Sequence, residues 1–407
     1  MKRNRRMFFH AWAVLLLTLF LVACGQENAP ETTVPVTTVS ETTVAEPTEP
    51  KDPVLERAKE MLAGMNGGEK ICQLFLVTQD QLTGISGVTR SGSVTQAALE
   101  RYPVGGVIYF SPNLVSREQT AEMIRDLQSY AEIPMFISVD EEGGIVSRLG
   151  RNWKMGMEKV PNMGVIGADG DPEKAYQVGL TLGSELSELG FNLDFAPVAD
   201  VNSNPRNPVI GERAFHSDPQ TVAALVAACV EGFYASGVNC TLKHFPGHGD
   251  TDSDSHLGEV RLDKSLEELW ACELIPFAAG IEAGAPLVMV GHITVPALSG
   301  EAVPATLSRE IVTNLLRQQM GFEGIIITDS MQMGAITDRY DSGQAAVLAL
   351  QAGADIILMP NDLEMAVSGV RQALDSGALS WDRIDDSVLR ILETKLRSGV
   401  IPMEGEN

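Results

Sequence analysis

The chain has 407 residues, 44% of them hydrophobic, with 54 acidic against 30 basic side chains and a formal net charge of −24 at neutral pH. So acidic a chain lacks the basic stripe that nucleic acid or anionic lipid head groups require, and the expected partner is neutral or small. The length allows one large domain or two modest ones behind any N-terminal targeting segment.

Residues 1–23 read as a targeting segment. Lys2, Arg3, Arg5 and Arg6 form a basic region, and Ala11–Ala23 an apolar run of thirteen residues, too short to span a bilayer as a helix. The run ends in Leu21-Val22-Ala23-Cys24-Gly25, which resembles the bacterial lipoprotein signal. That resemblance implies lipidation of Cys24 and anchoring of the exported protein to the membrane through its N-terminus. An ordinary secretory signal is the alternative reading, and it too implies export. Residues 24–53 are rich in Thr, Pro, Glu and Val and hold no aromatic residue. A segment of that composition buries too little surface to offset its ordering entropy and is expected to be a disordered tether.

The body, residues 54–407, keeps a net charge of −23 after the leader's four basic residues and the tether's six acids and one lysine are set aside. Its four cysteines, Cys72, Cys229, Cys240 and Cys272, show no paired short spacing, and buried free thiols are expected. Apolar β-type runs recur at Ile71–Thr78, Val104–Phe110, Met135–Asp140, Leu193–Val198, Val238–His244, Leu287–His292, Gly324–Asp329 and Asp355–Met359. Helical periodicity fills the intervals, over Ala121–Ala131, Pro172–Leu189, Gln220–Ser236, Ser265–Ala283, Ser308–Met320 and Gly343–Ala352, with Asp382–Ser398 closing the chain. Runs that are apolar throughout suit parallel strands covered on both sides. Eight of them alternating with helices predict an α/β fold, a single (β/α)8 TIM-type barrel, with a doubly wound open sheet as the alternative.

Asp140, Asp200, Lys243-His244, His292 and Asp329 all fall at the C-terminal ends of runs, the face on which such barrels mount their chemistry. The stretch Lys243–Glu259, K-H-F-P-G-H-G-D-T-D-S-D-S-H-L-G-E, concentrates three histidines and alternating aspartates. Calcium is ruled out, because an EF-hand loop counted from Asp250 has Ser255 where glycine belongs and Arg261 where glutamate belongs. Zinc on His244, His248 and His256 is disfavoured, since Pro246, Gly247 and Gly249 break any helical turn. Gly247 and Gly249 instead predict a loop that bends sharply and moves, so that alanine at both would depress turnover more than folding.

Asp329 stands at the end of its strand as a candidate nucleophile or stabiliser of an oxocarbenium-like transition state, or as the N-cap of a following helix. His256, with Asp254 two residues before it, has the makings of an oriented acid/base.

Five segments in order, Val139-Asp140-Glu141-Glu142-Gly143-Gly144 with Arg148, Phe195–Val201, Asn207–Phe215, the histidine loop and Thr328-Asp329-Ser330-Met331, resemble glycoside hydrolase family 3. More narrowly they are similar to its bacterial β-N-acetylglucosaminidase branch. The resemblance implies a retaining exo-glycosidase that removes terminal β-linked N-acetylglucosamine, with Asp329 as nucleophile and an Asp254–His256 dyad as acid/base. It assigns sugar binding to Asp140, Arg148, Arg213, Lys243 and His244, and it calls for no metal and no cofactor. The substrate expected of an exported lipoprotein of this kind is an amino-sugar glycan or muropeptide, and a monomer is expected. Asp200 is as suited to anchoring Arg213 as to touching substrate, and His248, Asp250 and Asp252 receive no catalytic role. About fifty residues follow the last predicted strand, room for two helices and not for the second α/β domain of many relatives. A solute-binding lipoprotein, a phosphorylase using the same site and a β-glucosidase are the rival functions.

Overall fold

A computed structural model describes residues 52–253, 258–300 and 303–403. Eight strands correspond one to one with the eight apolar runs: β1 (Phe75–Thr78), β2 (Gly106–Ile108), β3 (Phe136–Val139), β4 (Leu193–Asp194), β5 (Thr241–Phe245), β6 (Leu287–Val290), β7 (Ile325–Thr328) and β8 (Ile357–Leu358). Five of them form one parallel sheet in the order β8-β1-β2-β3-β4, and three form another in the order β7-β6-β5. Single parallel bridges cross both seams, Leu193 to Asn239 and Val198 to Lys243 on one side, Ile327 to Ile356 on the other. The strands are buried almost without interruption, as parallel sheets packed under helices must be.

The two longest helices among the described residues are punctuated alike. Asp171 and Asp218 cap Pro172–Leu189 and Pro219–Ser236 from the N-cap position, proline opens each at the first turn, and Gly190 and Gly237 end them in the left-handed conformation. Proline costs nothing where the N–H is unpaired anyway, and glycine enters the left-handed region without a Cβ penalty.

At the end of the sheets away from the strand C-termini, Asp355 gathers the far helices. Its carboxylate accepts from Arg317 at 2.7 Å, Ser387 at 2.6 Å and Arg390 at 3.2 Å, and from the Ile326 N–H at 2.9 Å. The last helix, Trp381–Arg397, is thereby pinned beneath β7 and β8.

Three elements depart from the expectation. Ile71–Gln73 belongs to the helix Gly67–Gln73, so β1 begins only at Phe75. The segment Ser265–Ala283 forms two helices, Leu266–Ala271 and Leu274–Glu282, because Pro276 has no N–H to continue the first. Residues Glu310–Gln319 wind as a π-helix, which nothing in the sequence explains. Of the four body cysteines, Cys72, Cys229 and Cys240 are buried and Cys272 half-buried, all as free thiols.

Candidate active site

A cavity of about 390 Å3 opens at the C-terminal ends of the strands. Asp140, Arg148, Arg213, Lys243, His244 and Asp329 all line it. Residues separated by up to 189 positions in the chain are thus brought to one space, since Asp140 follows β3, Lys243 and His244 lie in β5 and Asp329 follows β7.

Adjacent strand residues normally point to opposite faces, yet Lys243 and His244 both reach this cavity. The cause is a register shift. Leu242 pairs with Val288 and Phe245 with Val290, so one residue too many is accommodated on β5 and the strand is re-aimed at that point.

Lys243 Nζ lies 2.9 Å from Asp140 Oδ1 and 2.6 Å from Glu142 Oε1. Arg213 closes a two-pronged pair on the same Glu142, with Nε at 2.8 Å from Oε2 and Nη2 at 2.7 Å from Oε1. Arg148 Nη2 approaches Asp140 Oδ2 at 3.4 Å. Burial disfavours the charge of Lys243, but Asp140 and Glu142 outweigh it and raise its pKa. Burial likewise opposes ionisation of Glu142, and Lys243 and Arg213 overcome it, holding that carboxyl far below the usual range. Lys243, Glu142 and Arg213 therefore hold their charges against burial, so the cavity presents fixed donors and acceptors.

The turn that carries Arg148 is built by Glu141. Its carboxylate accepts from the Arg148 N–H at 2.7 Å, the Leu149 N–H at 2.8 Å and the Gly150 N–H at 3.2 Å, as well as from the Ser147 hydroxyl. Asn207 does the same for the Arg213 segment. It accepts from the Val209 and Ile210 N–H groups and donates to the His248 carbonyl at 2.7 Å, tying two active-site segments together.

Asp200 does not anchor Arg213. It is fully buried, accepts from the His248 N–H at 2.6 Å and lies 2.7 Å from His244 Nδ1, so it orients both histidines, while Glu142 holds the arginine. With Nδ1 donating to Asp200, His244 turns Nε2 toward Arg213 Nη2, 3.4 Å away. His248 lines the cavity too, and burial and the neighbouring His244 lower its pKa.

Asp329 caps no helix, since the helix that follows starts at Gly334 behind Met333. Its Oδ1 accepts from the Ser330 N–H at 2.7 Å. Burial pushes its pKa up, but His292, His244 and that N–H prevail and hold it below the ordinary carboxylate value. His292 is fixed between the Thr306 hydroxyl at 2.7 Å and the Ser330 carbonyl at 2.9 Å. A carboxylate kept ionised, half-buried and without a salt bridge among the described residues is chemically a nucleophile or a stabiliser of a cation.

Asp254 and His256 lie outside the described residues. The loop leading to them is packed more tightly than its glycines imply. A Cβ on Gly249 would stand 1.8 Å from the Val201 carbonyl oxygen, and one on Gly247, whose φ is +126°, would stand 2.6 Å from Glu273 Cγ. These glycines answer close contact with neighbouring segments, and alanine there disturbs packing first. Among the described residues no group of three or more His, Cys, Asp or Glu could hold a metal ion.

The reading of the sequence passed over Glu142, Asn207 and the orienting role of Asp200. Only Glu142 left a trace there, as the second of two consecutive acids beside Asp140. The other two matter through partners more than forty residues away.

A family model described as "Glycosyl hydrolase family 3 N terminal domain" matches residues 68–394. "Beta-hexosaminidase A" of Pseudoalteromonas piscicida is 37% identical over 325 residues, 73% of this chain, which spans 54% of that relative's length. "Beta-hexosaminidase" of Stenotrophomonas maltophilia (strain R551-3) is 35% identical over 77% of this chain and 98% of its own. A solved glycoside hydrolase family 3 β-N-acetylglucosaminidase from Paenibacillus sp. str. FPU-7 superposes with a TM-score of 0.78 at 38% identity, covering 84% of this chain and 64% of that one.

Proposed function

The chain belongs to glycosyl hydrolase family 3, and from that premise we propose that it is a retaining, exo-acting β-N-acetylhexosaminidase that releases terminal non-reducing β-linked N-acetylglucosamine. The observation that carries the reading is the position of Asp329, an ionised carboxylate on the wall of the cavity that also holds Asp140, Arg148, Arg213, Lys243 and His244. Fixed acceptors and donors in one cavity with a carboxylate nucleophile match a pyranose whose hydroxyls are gripped while its anomeric carbon is attacked.

In this mechanism Asp329 attacks C1 and forms a glycosyl-enzyme ester while the glycosidic oxygen leaves with a proton from His256. The same imidazole, steadied by Asp254, then takes a proton from water, whose oxygen displaces Asp329 and restores the β-configured sugar. The cations Arg148, Arg213 and Lys243 donate to hydroxyls and to the acetamido carbonyl, and Asp140 accepts from vicinal hydroxyls. Names of relatives as β-hexosaminidases support the amino-sugar specificity.

We read the two parallel sheets, bridged at both seams, as a single (β/α)8 barrel whose C-terminal face carries this chemistry. We place the protein outside the cytoplasm, held to the membrane through a lipid on Cys24 and lifted by the tether of residues 24–53, with peptidoglycan fragments as its source of glycan.

Release of 4-nitrophenol from 4-nitrophenyl N-acetyl-β-glucosaminide, beside the β-glucoside and with and without phosphate, tests the reading. Turnover of the amino sugar to free N-acetylglucosamine, indifferent to phosphate, is expected. Preference for the glucoside, or a sugar phosphate as product, would overturn it.

A further inference from the structure

Among the described residues that line the cavity, Gln332 alone is exposed, so it marks the mouth. It follows Asp329 closely, on the segment that leaves β7. Its neighbours on either side, Met331 and Met333, are buried, at 2% and 5% exposure. The backbone between them is fixed twice. The Met331 N–H donates to the Leu358 carbonyl at 2.9 Å, and the Met333 N–H closes a turn on the Ser330 carbonyl at 3.2 Å. That same carbonyl lies 2.9 Å from His292 Nε2. A polar side chain is thus presented to the mouth from a firmly held base, and its amide has no hydrogen-bond partner among the described residues.

The chemistry of terminal N-acetylglucosamine fixes which way the rest of a glycan leaves. C1 carries the glycosidic oxygen and C2 the acetamido group, so the only vicinal hydroxyls are those on C3 and C4. An Asp140 that accepts from vicinal hydroxyls therefore marks the C3–C4 edge, and an Asp329 that attacks marks C1, across the ring. The sugar beyond the scissile bond extends from the C1 end. Every other wall residue is buried or half-buried, so that sugar passes out at the mouth, over Gln332. From this geometry we infer that Gln332 is a specificity-determining residue: its amide hydrogen-bonds the sugar on the leaving side of the scissile bond and so forms an aglycone subsite for an amino-sugar glycan. The inference rests on the function proposed above. An amide offers two donors and an acceptor, which complement a hydroxyl or an acetamido group, whereas a plain aryl leaving group gives it nothing to bond.

A subsite on the leaving side is read by changing the leaving group. Wild type, Gln332→Ala and Gln332→Met are therefore compared on N,N′-diacetylchitobiose and on phenyl N-acetyl-β-glucosaminide. The quantity compared is kcat/KM, which reports transition-state stabilisation relative to free enzyme and substrate. Methionine keeps the length and apolar contact of glutamine and removes only the amide. An exposed side chain can be changed in either way at little cost to the fold, and equal melting temperatures check this.

In both variants the ratio of kcat/KM on chitobiose to kcat/KM on the phenyl glycoside should fall about three- to tenfold, the range of a single hydrogen bond. A ratio unchanged or raised in Gln332→Ala would overturn the inference, and so would a Gln332→Met enzyme with the wild-type ratio. Failure of the underlying reading shows separately: wild-type protein that releases no N-acetylglucosamine from the phenyl glycoside removes the proposed function, whatever the variants do.

Discussion

Lys243 Nζ lies 2.6 Å from Glu142 Oε1, and the two side chains are only 3% and 2% exposed. With Arg213 forked onto the same carboxylate, Glu142 is the counter-ion on which two cavity-lining cations depend. Glu142→Gln would leave both cations buried with half their compensation, at a cost of about 3–5 kcal/mol. The folded pKa of Glu142 is depressed, so its stabilisation is complete above its unfolded value near 4.5 and is lost as pH falls below that toward the folded value. Urea unfolding at pH 7 should show a large deficit for the variant and at pH 3.5 a smaller one, with KM for the amino sugar raised at pH 7. Equal deficits at the two pH values would contradict this.

At the opposite end of the strands Lys395 is fully buried, with Nζ 2.9 Å from Gln73 Oε1 and 5.2 Å from the Phe136 ring centre. Burial pushes its pKa from 10.5 down to about 7. A lysine depressed in this way penalises folding at pH values below its unfolded pKa, and the penalty grows until pH reaches the folded value. Lys395→Met should therefore stabilise the protein by roughly 2–4 kcal/mol near pH 6, less the Gln73 bond, and by progressively less toward pH 10. A melting temperature that drops at pH 6 would refute the prediction.

The packing of Gly249 against Val201 makes it a stability position. Gly249→Ala should destabilise by about 2 kcal/mol or more, read from chemical denaturation, along with any fall in turnover. A variant of wild-type stability with depressed turnover would restore the view that the glycine serves motion.

His292 is the first of the groups that hold Asp329 ionised against burial. His292→Phe removes that influence, so the Asp329 pKa should rise and the acid limb of kcat/KM should move to higher pH. An unmoved limb would show that another group sets it.

The sequence announced the eight strands because each is apolar on both faces, a pattern that burial under helices imposes and that survives without tertiary information. It also announced Asp140, Arg148, Arg213, Lys243, His244 and Asp329, which converge on one cavity. Two kinds of information were absent. The extra residue in β5 that turns Lys243 and His244 the same way depends on its pairing with β6. The supporting contacts of Glu142, Asp200 and Asn207 are made across 41 to 101 positions of chain, beyond the reach of any local pattern.

Asp329, as proposed above, is the nucleophile of a retaining glycosidase. Incubation with 5-fluoro-N-acetyl-β-glucosaminyl fluoride, which slows breakdown of a glycosyl-enzyme, followed by proteolysis and mass spectrometry, tests it most directly. One equivalent of sugar esterified to the peptide containing Asp329 is expected, and none in Asp329→Ala. An adduct on another carboxylate, or turnover of the fluoride by Asp329→Ala at the wild-type rate, would contradict it.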